Sequence, residues 1–303
     1  MISTGIINPA LSAVFALYSL QKATILTPLC PNAGPIGGAG FAFPASIANL
    51  MIPTTFLAIF FLSFFALIFK ILRNSIIVVS KKVRDHWAKY CEFNKIKIIY
   101  NYSEFENEYS QKSGKKKSEY IISNISRIVP QKGIEYFIEI SKEMLRLDNK
   151  FKFNIIGDTL TSSDTYLEKL KKIIKNYDLE NKIFFKGFKR NIKVQILESD
   201  LILQTPVFPD SLPTVLIDSL TLNKPVVSTD LGGCAEILNY GKNGILIPTK
   251  NASACAKIIN QYSSDKNLQE KHLKNAKIFL NQNFSSMEFN KRVLDELNRV
   301  SNG

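Results

Sequence analysis

The first quarter of the chain has almost no charged side chains. Between residues 1 and 69 the only one is Lys22, and all 26 acidic residues come later. The remainder carries the basic excess that gives the protein a formal net charge of +13. A basic part beside an apolar part suits an anionic membrane surface and phosphate-bearing substrates. Nucleic acid is not predicted as a partner, because the lysines are dispersed along predicted helices and no binding motif of aromatic and basic residues occurs.

The sequence also lacks the residue patterns that build metal centres. Its four cysteines contain no C-x-x-C pair, only His86 and His272 accompany them, and no D-x-D motif is present. A zinc site is therefore not predicted, and the cysteines are interpreted as free thiols in a reducing cytoplasm. We predict no metal ion and no cofactor.

The charge-poor quarter contains one long apolar run at residues 55–72, which is apolar on every side of a helix. Extended back to Ile47, it has 23 uncharged residues before Lys70. That is about 35 Å of helix, enough to cross a bilayer core of about 30 Å, and the basic residues that follow would lie in the cytoplasm. We predict an apolar region at 1–73 with a candidate transmembrane helix at 47–72; the alternative is a core helix of a soluble domain. A cleavable signal peptide is not predicted, because no positive residue precedes the first apolar stretch.

Beyond residue 73, short strand patterns alternate with helical patterns along the chain. Such alternation predicts an α/β fold, in which a parallel sheet carries helices on both faces. Residues 104–118 are polar and contain glycine and a run of lysines, which makes them the best candidate for a linker. We predict that residues 74–112 contain the remainder of an N-terminal Rossmann-like domain and the linker. Residues 113–285 would form a complete C-terminal Rossmann-like domain, with a hairpin at 240–244.

Glycines, hydroxyl groups and charged side chains cluster where the predicted strands of this second domain end. Ligands of a parallel sheet bind at this edge, where glycine permits close approach and helix N-termini offer N–H groups to phosphate. Cations at the same edge add charge-assisted hydrogen bonds. The pattern therefore predicts a diphosphate site. Its candidate residues are Arg127, Lys132, Gly157, Gly187, Ser211, Leu212, Thr214, Gly232 and Gly233.

Seven motifs of this part of the chain occur in the order found in a known family. They are IIYN, ISRIVPQKG, FNIIGD, IFFKGF, PDSLPTVLIDSL, KPVVSTDLGGCAEIL and NGILIP. Because these motifs occur in this order, the sequence resembles the retaining glycosyltransferases of family 4. The resemblance implies a GT-B-like fold with a complete C-terminal domain, here a nucleotide-sugar-binding domain at 113–285, and an incomplete or membrane-associated N-terminal domain. It also implies that residues 286–303 form a helix that crosses back to the N-terminal domain.

The resemblance assigns roles to individual side chains. Arg127 and Lys132 would hold the diphosphate, Asp210 would contact the donor sugar, and Asp218 would bind the ribose diol. The further implied contacts to the nucleotide come from Gly157, Gly187, Ser211, Leu212 and Thr214. Both acids are aspartate where the family has glutamate, and each side chain is shorter by about 1.5 Å. The resemblance therefore does not predict which sugar the donor carries. The alternatives are a surface pair for the two cations, a helix cap for Asp210 and a solvated helix face for Asp218.

The activity implied by the resemblance is a retaining transfer of a sugar from a UDP- or GDP-linked donor. The acceptor would be a lipid-linked glycan or a polysaccharide, at the cytoplasmic face of the inner membrane. The N-terminal part is shorter than in the family and lacks its cleft histidine, and His86 is interpreted as a surface residue. Two alternatives therefore stay open. One is a membrane-anchored, catalytically impaired nucleotide-sugar-binding protein, and the other is a membrane-docking module with a vestigial site.

Overall fold

A computed structural model describes residues 76–89, 92–106, 119–159 and 165–301. All of them belong to one compact unit, Ala66–Gly303. The predicted apolar region 1–73, its candidate transmembrane helix 47–72 and residues 107–118 of the predicted linker lie outside the described residues. Within the described ranges, every helix is too short or too polar to span a bilayer.

The first described part is a small parallel β-α-β unit. It consists of β1 (Ile76–Val78), α1 (Lys81–Trp87), a short 3-10 helix (Phe93–Lys95) and β2 (Ile96–Ile98). The two strands pair in parallel. Helix α1 begins after Ser80, whose hydroxyl accepts a hydrogen bond from the backbone N–H of Val83 at 3.2 Å, as an N-cap does.

The second part is built on a six-stranded sheet in which all strands are parallel. The strands are β3 (Tyr120–Ile125), β4 (Phe151–Ile156), β5 (Ile183–Gly187), β6 (Leu201–Gln204), β7 (Val226–Thr229) and β8 (Ile245–Ile247). Their spatial order is β5-β4-β3-β6-β7-β8, so the chain reverses its direction of travel between β3 and β6. Crevices at such switch points, at the carboxyl ends of the strands, are where parallel sheets bind ligands.

Eight helices accompany the described part of this sheet. They are α2 (Ile134–Leu147), α3 (Thr165–Asn176), α4 (Ile192–Glu198), α5 (Thr214–Thr221), α6 (Cys234–Ile237), α7 (Ala252–Ser264), α8 (Lys266–Asn283) and α9 (Ser286–Ser301). Neighbouring residues of one strand enter different apolar clusters, because successive side chains point to opposite faces. Val227 packs in the cluster that contains α2, α3 and α7, and Val226 packs in the cluster that contains α5, α6 and α8.

The predicted α/β fold with a parallel sheet is confirmed. The hairpin expected at 240–244 is wrong, because β7 and β8 are parallel and cannot be joined by a tight turn. The connection instead contains α6 and a 3-10 helix (Asn239–Gly241), in which Asn239 and Tyr240 have positive φ values of 45° and 53°.

Candidate functional site

The loops after β3 and β6 meet at the switch point of the sheet. Gly133 ends the 3-10 helix Pro130–Lys132 with a φ of +64°, and a Cβ added there would lie 1.9 Å from the carbonyl oxygen of Thr205. The Thr205 hydroxyl donates a hydrogen bond to the Gly133 carbonyl at 2.9 Å. Only glycine permits this conformation and this contact together. The two loops are therefore held against each other, which fixes the position of Lys132.

Lys132 and Asp210 form an ion pair between the lysine Nζ and the aspartate Oδ2. Both side chains are partly buried, at 21% and 15% exposure. The structure thus brings together the cation predicted for the diphosphate and the carboxylate predicted for the sugar. The helix-cap alternative for Asp210 is wrong, because Pro213 occupies the N-cap of α5 and no side chain caps that helix.

Arg127 follows β3 with an exposed side chain. The side chain makes no hydrogen bond or ion pair with the described residues, so it does not join Lys132 in a surface pair. An exposed guanidinium beside the switch point can bind an anion from solvent without first breaking another contact.

The first turn of α5 offers unpaired N–H groups close to Asp210. Neither Thr214 nor Val215 has a backbone acceptor among the described residues. Ser211 is partly exposed in the same loop, while the Leu212 side chain is 6% exposed and packs in the core. The loop can therefore present backbone amides and one hydroxyl to an anion, and Leu212 can take part only through its backbone.

Gly232 and Gly233 support the loop that carries Asp210. A Cβ at Gly232 would lie 2.1 Å from the carbonyl oxygen of Asp210, and one at Gly233 would lie 2.3 Å from that of Ser211. The Gly233 N–H donates to the Asp210 carbonyl at 2.7 Å. The two glycines are thus required where one loop backbone rests directly on another, and they act on the site through Asp210.

Gly157 and Gly187 lie side by side at the other end of the same sheet edge. The Gly157 N–H donates to the Gly187 carbonyl at 3.0 Å, and a Cβ at Gly157 would lie 1.9 Å from the carbonyl oxygen of Ser126. Gly187 has a φ of +66° and open space where a Cβ would be. Gly157 is therefore a packing glycine, whereas Gly187 borders solvent and leaves room for a ligand.

Asp218 lies on α5 and accepts a hydrogen bond from the hydroxyl of Ser103, with 2.7 Å between Ser103 Oγ and Asp218 Oδ1. Burial raises the pKa of Asp218 to about 6; the Ser103 bond lowers it, and the negative charge of Glu104 raises it. The alternative of a solvated helix face is therefore wrong. The sequence analysis did not identify Ser103, whose only signal is its place two residues after the IIYN motif.

Glu236 is a further buried carboxylate that the sequence analysis did not single out. Its two oxygens accept hydrogen bonds from the backbone N–H groups of Lys81 at 2.9 Å and Lys82 at 3.0 Å, and from the Tyr100 hydroxyl at 3.0 Å. It thereby adds a negative charge at the N-terminus of α1 and ties the β-α-β unit to the sheet domain. Burial and this carboxylate raise the pKa of Tyr100.

No group of three or more histidine, cysteine or acidic side chains in the described ranges is arranged to hold a metal ion. Cys234 and Cys255 are buried free thiols, in agreement with the interpretation of the sequence. His86 is exposed on α1, as expected for a surface residue.

Comparison with known proteins gives a family match over most of the sheet domain. A family model described as "Glycosyl transferases group 1" matches residues 105–279, more than half of the chain. The poly(ribitol-phosphate) alpha-N-acetylglucosaminyltransferase of Staphylococcus aureus is 26% identical over 194 residues, which are 63% of this chain and 37% of that protein. A putative colanic acid biosynthesis glycosyltransferase of Salmonella typhimurium is 24% identical over 185 residues, which are 58% of this chain and 44% of that protein. The chain thus spans less than half the length of these curated relatives.

Solved structures share the same fold. HepE of Anabaena, crystallised with UDP and glucose, is 23% identical with a TM-score of 0.68, covering 74% of this chain and 63% of HepE. TarM of S. aureus, crystallised as a point mutant with Fondaparinux, alpha-GlcNAc-glycerol and UDP, is 25% identical with a TM-score of 0.64. That match covers 74% of this chain and 44% of TarM. The Rossmann-like α/β architecture predicted as GT-B-like is thereby confirmed.

Proposed function

We propose a function on the premise that this chain belongs to the glycosyl transferases group 1 family, which the match over residues 105–279 shows. The proposed activity is transfer of a sugar from a nucleotide diphosphate donor, UDP- or GDP-linked, to a lipid-linked or polysaccharide acceptor. Relatives named for colanic acid, amylovoran and poly(ribitol-phosphate) support cell-surface polysaccharide synthesis as the process. The resemblance to family 4 supports retention of the anomeric configuration, and the charge-poor first quarter supports work at the cytoplasmic face of the inner membrane.

The observation that carries this proposal is the Lys132–Asp210 pair at the switch point, beside the unpaired amides of α5. A diphosphate brings more negative charge than one carboxylate, so it can compete for the lysine ammonium. Asp210 would then be released to accept hydrogen bonds from the hydroxyls of the donor sugar. One ion pair would thus prepare both a cation for phosphate and a carboxylate for sugar.

The chemistry needs positive charge where the sugar–phosphate bond breaks. Negative charge grows on the leaving diphosphate, and fixed cations there lower the energy of the transition state. Lys132 would supply one such charge from its packed position, and exposed Arg127 would supply another on binding. With these two cations and the α5 amides, we propose that transfer needs no metal ion.

A second candidate function is donor binding without transfer, by a membrane-anchored, catalytically impaired protein. The observation that favours it is that Lys132 and Asp210 already neutralise each other's charge. If the donor does not separate them, only the second oxygen of Asp210, Oδ1, is left to orient the sugar. The two candidates share nucleotide binding and differ only in turnover.

The test is calorimetric binding of UDP and GDP to the full chain, followed by transfer of radiolabelled sugar to a lipid extract. Arg127→Gln and Lys132→Gln should each weaken nucleotide diphosphate binding by about 10- to 100-fold, because each removes a charge-assisted hydrogen bond. Lys172→Gln, on the exposed side of α3, is the matched control and should bind normally. Unchanged binding and turnover in the Arg127 and Lys132 double variant would overturn the proposal. Binding without transfer by the unaltered chain would favour the second candidate.

A further inference from the structure

The hydroxyl group of Ser103 has a fixed direction. Its oxygen accepts a hydrogen bond from the backbone N–H of Phe105 at 3.2 Å, and its proton is donated to Asp218 Oδ1 at 2.7 Å. The side chain is buried, with 2% of the residue exposed. A serine hydroxyl has one proton to donate. In the contact with Phe105 the hydroxyl is the acceptor, so its proton is available for Asp218.

This contact leaves most of the hydrogen-bonding capacity of Asp218 unused. An ionised carboxylate can accept about four hydrogen bonds, and Ser103 occupies one of them. Oδ2 has no hydrogen-bond partner among the described residues. It is also not fully buried, so solvent or a ligand can reach it. Asp218 is therefore held by one oxygen while the other stays accessible on the helix whose first turn lies next to Asp210.

We propose that Ser103 is a positioning residue, which holds Asp218 so that its accessible oxygen receives the hydroxyl groups of the donor's ribose. This inference rests on the proposed nucleotide site. Aspartate is shorter than the glutamate of the related family by about 1.5 Å, so its carboxylate has less reach toward a ligand. A hydrogen bond from the neighbouring segment fixes where that shorter side chain ends and removes rotamer freedom before the ligand arrives.

Ser103 also acts on the charge of Asp218. Its hydrogen bond stabilises the ionised carboxylate and lowers the pKa of Asp218, whereas burial and the charge of Glu104 raise it. Ser103 and Glu104, both in the segment after β2, are the side chains that act on the charge of Asp218. The ionised form accepts hydrogen bonds at every oxygen position, and the protonated form loses one of them. Ribose recognition should therefore weaken as the pH falls through about 6, and removing Ser103 should move that transition to higher pH.

The experiment measures dissociation constants for UDP and GDP, each with its 2′-deoxy counterpart, by calorimetry on the full chain between pH 5 and 8.5. Ser103→Ala should weaken binding of the ribonucleotide about tenfold at pH 7, the loss of about one hydrogen bond. It should also shift the pH midpoint upward, and it should weaken the 2′-deoxy nucleotide less than the ribonucleotide, because that ligand keeps only the 3′-hydroxyl for Asp218. Ser103→Thr keeps the hydroxyl and should restore both values. Ser264→Ala is the control, because this exposed serine donates its hydroxyl to the carbonyl of Asn260 in its own helix.

The outcomes separate this inference from the function on which it rests. Normal ribonucleotide affinity and an unchanged pH midpoint in a folded Ser103→Ala protein would overturn the role of Ser103 and leave the nucleotide site standing. Failure of the unaltered chain to bind either diphosphate would overturn both. Asp218→Asn keeps an acceptor for Ser103 but removes the charge. It should lose the discrimination between ribose and deoxyribose, and retained discrimination there would also overturn the inference.

Discussion

Replacing Glu236 by glutamine should destabilise the protein, although the side chain keeps its size. The carboxylate accepts bonds from the N–H groups of Lys81 and Lys82 on separate oxygens, and Tyr100 shares one of them. An amide has one acceptor oxygen, so in either orientation its NH₂ group faces a backbone N–H of α1. The loss of one charge-assisted hydrogen bond and of the charge at the helix N-terminus amounts to about 2–4 kcal/mol.

The assay is urea unfolding of the full chain, followed by circular dichroism. Glu236→Gln should lower the free energy of unfolding with an unchanged denaturant slope. Tyr100→Phe removes a single bond and should cost about 1 kcal/mol. The double variant should fall short of the sum, because both changes act on one carboxylate. Glu180→Gln alters an exposed glutamate and serves as the control, with an expected change within about 0.5 kcal/mol. If Glu236→Gln is as stable as this control, the capping argument is refuted.

Three further predictions concern the candidate site. The pKa of Asp218 is raised from its ordinary value to about 6, so its contribution to stability is full below about pH 4 and is lost as the pH rises through 6. Asp218→Asn should therefore be more stable than the unaltered protein at pH 8 by about 1–3 kcal/mol and equal to it at pH 4, as measured by urea unfolding; equal stability at pH 8 would contradict this. Gly232→Ala should weaken nucleotide binding at least tenfold by calorimetry, because its Cβ would displace the Asp210 backbone, and normal binding would show that the loop yields. Burial raises the pKa of the Cys234 thiol to about 12. A protein whose other three cysteines are serine should therefore resist a thiol reagent at pH 8 until urea unfolds it, and rapid labelling of the folded protein would contradict this burial.

The fold was predictable because its signals are local. Strand β6 is buried at all four positions, and the sequence shows the first three of them, LIL, as an apolar run that begins after a polar turn. The alternation of such runs with helical patterns is sufficient to predict a parallel sheet. The same alternation puts Arg127, Gly157 and Gly187 at its carboxyl edge, since every strand of a parallel sheet ends on one side. The short α6 was missed because four residues carry no periodic pattern.

The partners of the charged residues could be known only from the tertiary structure. Lys132 and Asp210 are 78 residues apart in sequence, and Ser103 and Asp218 are 115 apart. Glu236 accepts a hydrogen bond from the backbone N–H of Lys81, which lies 155 residues away. The periodicity of a sequence predicts which side of a strand or helix is apolar. It does not predict the distance between two loops. Such a pairing depends on where separate backbones cross in space, and that is set by the packing of the whole sheet and its helices.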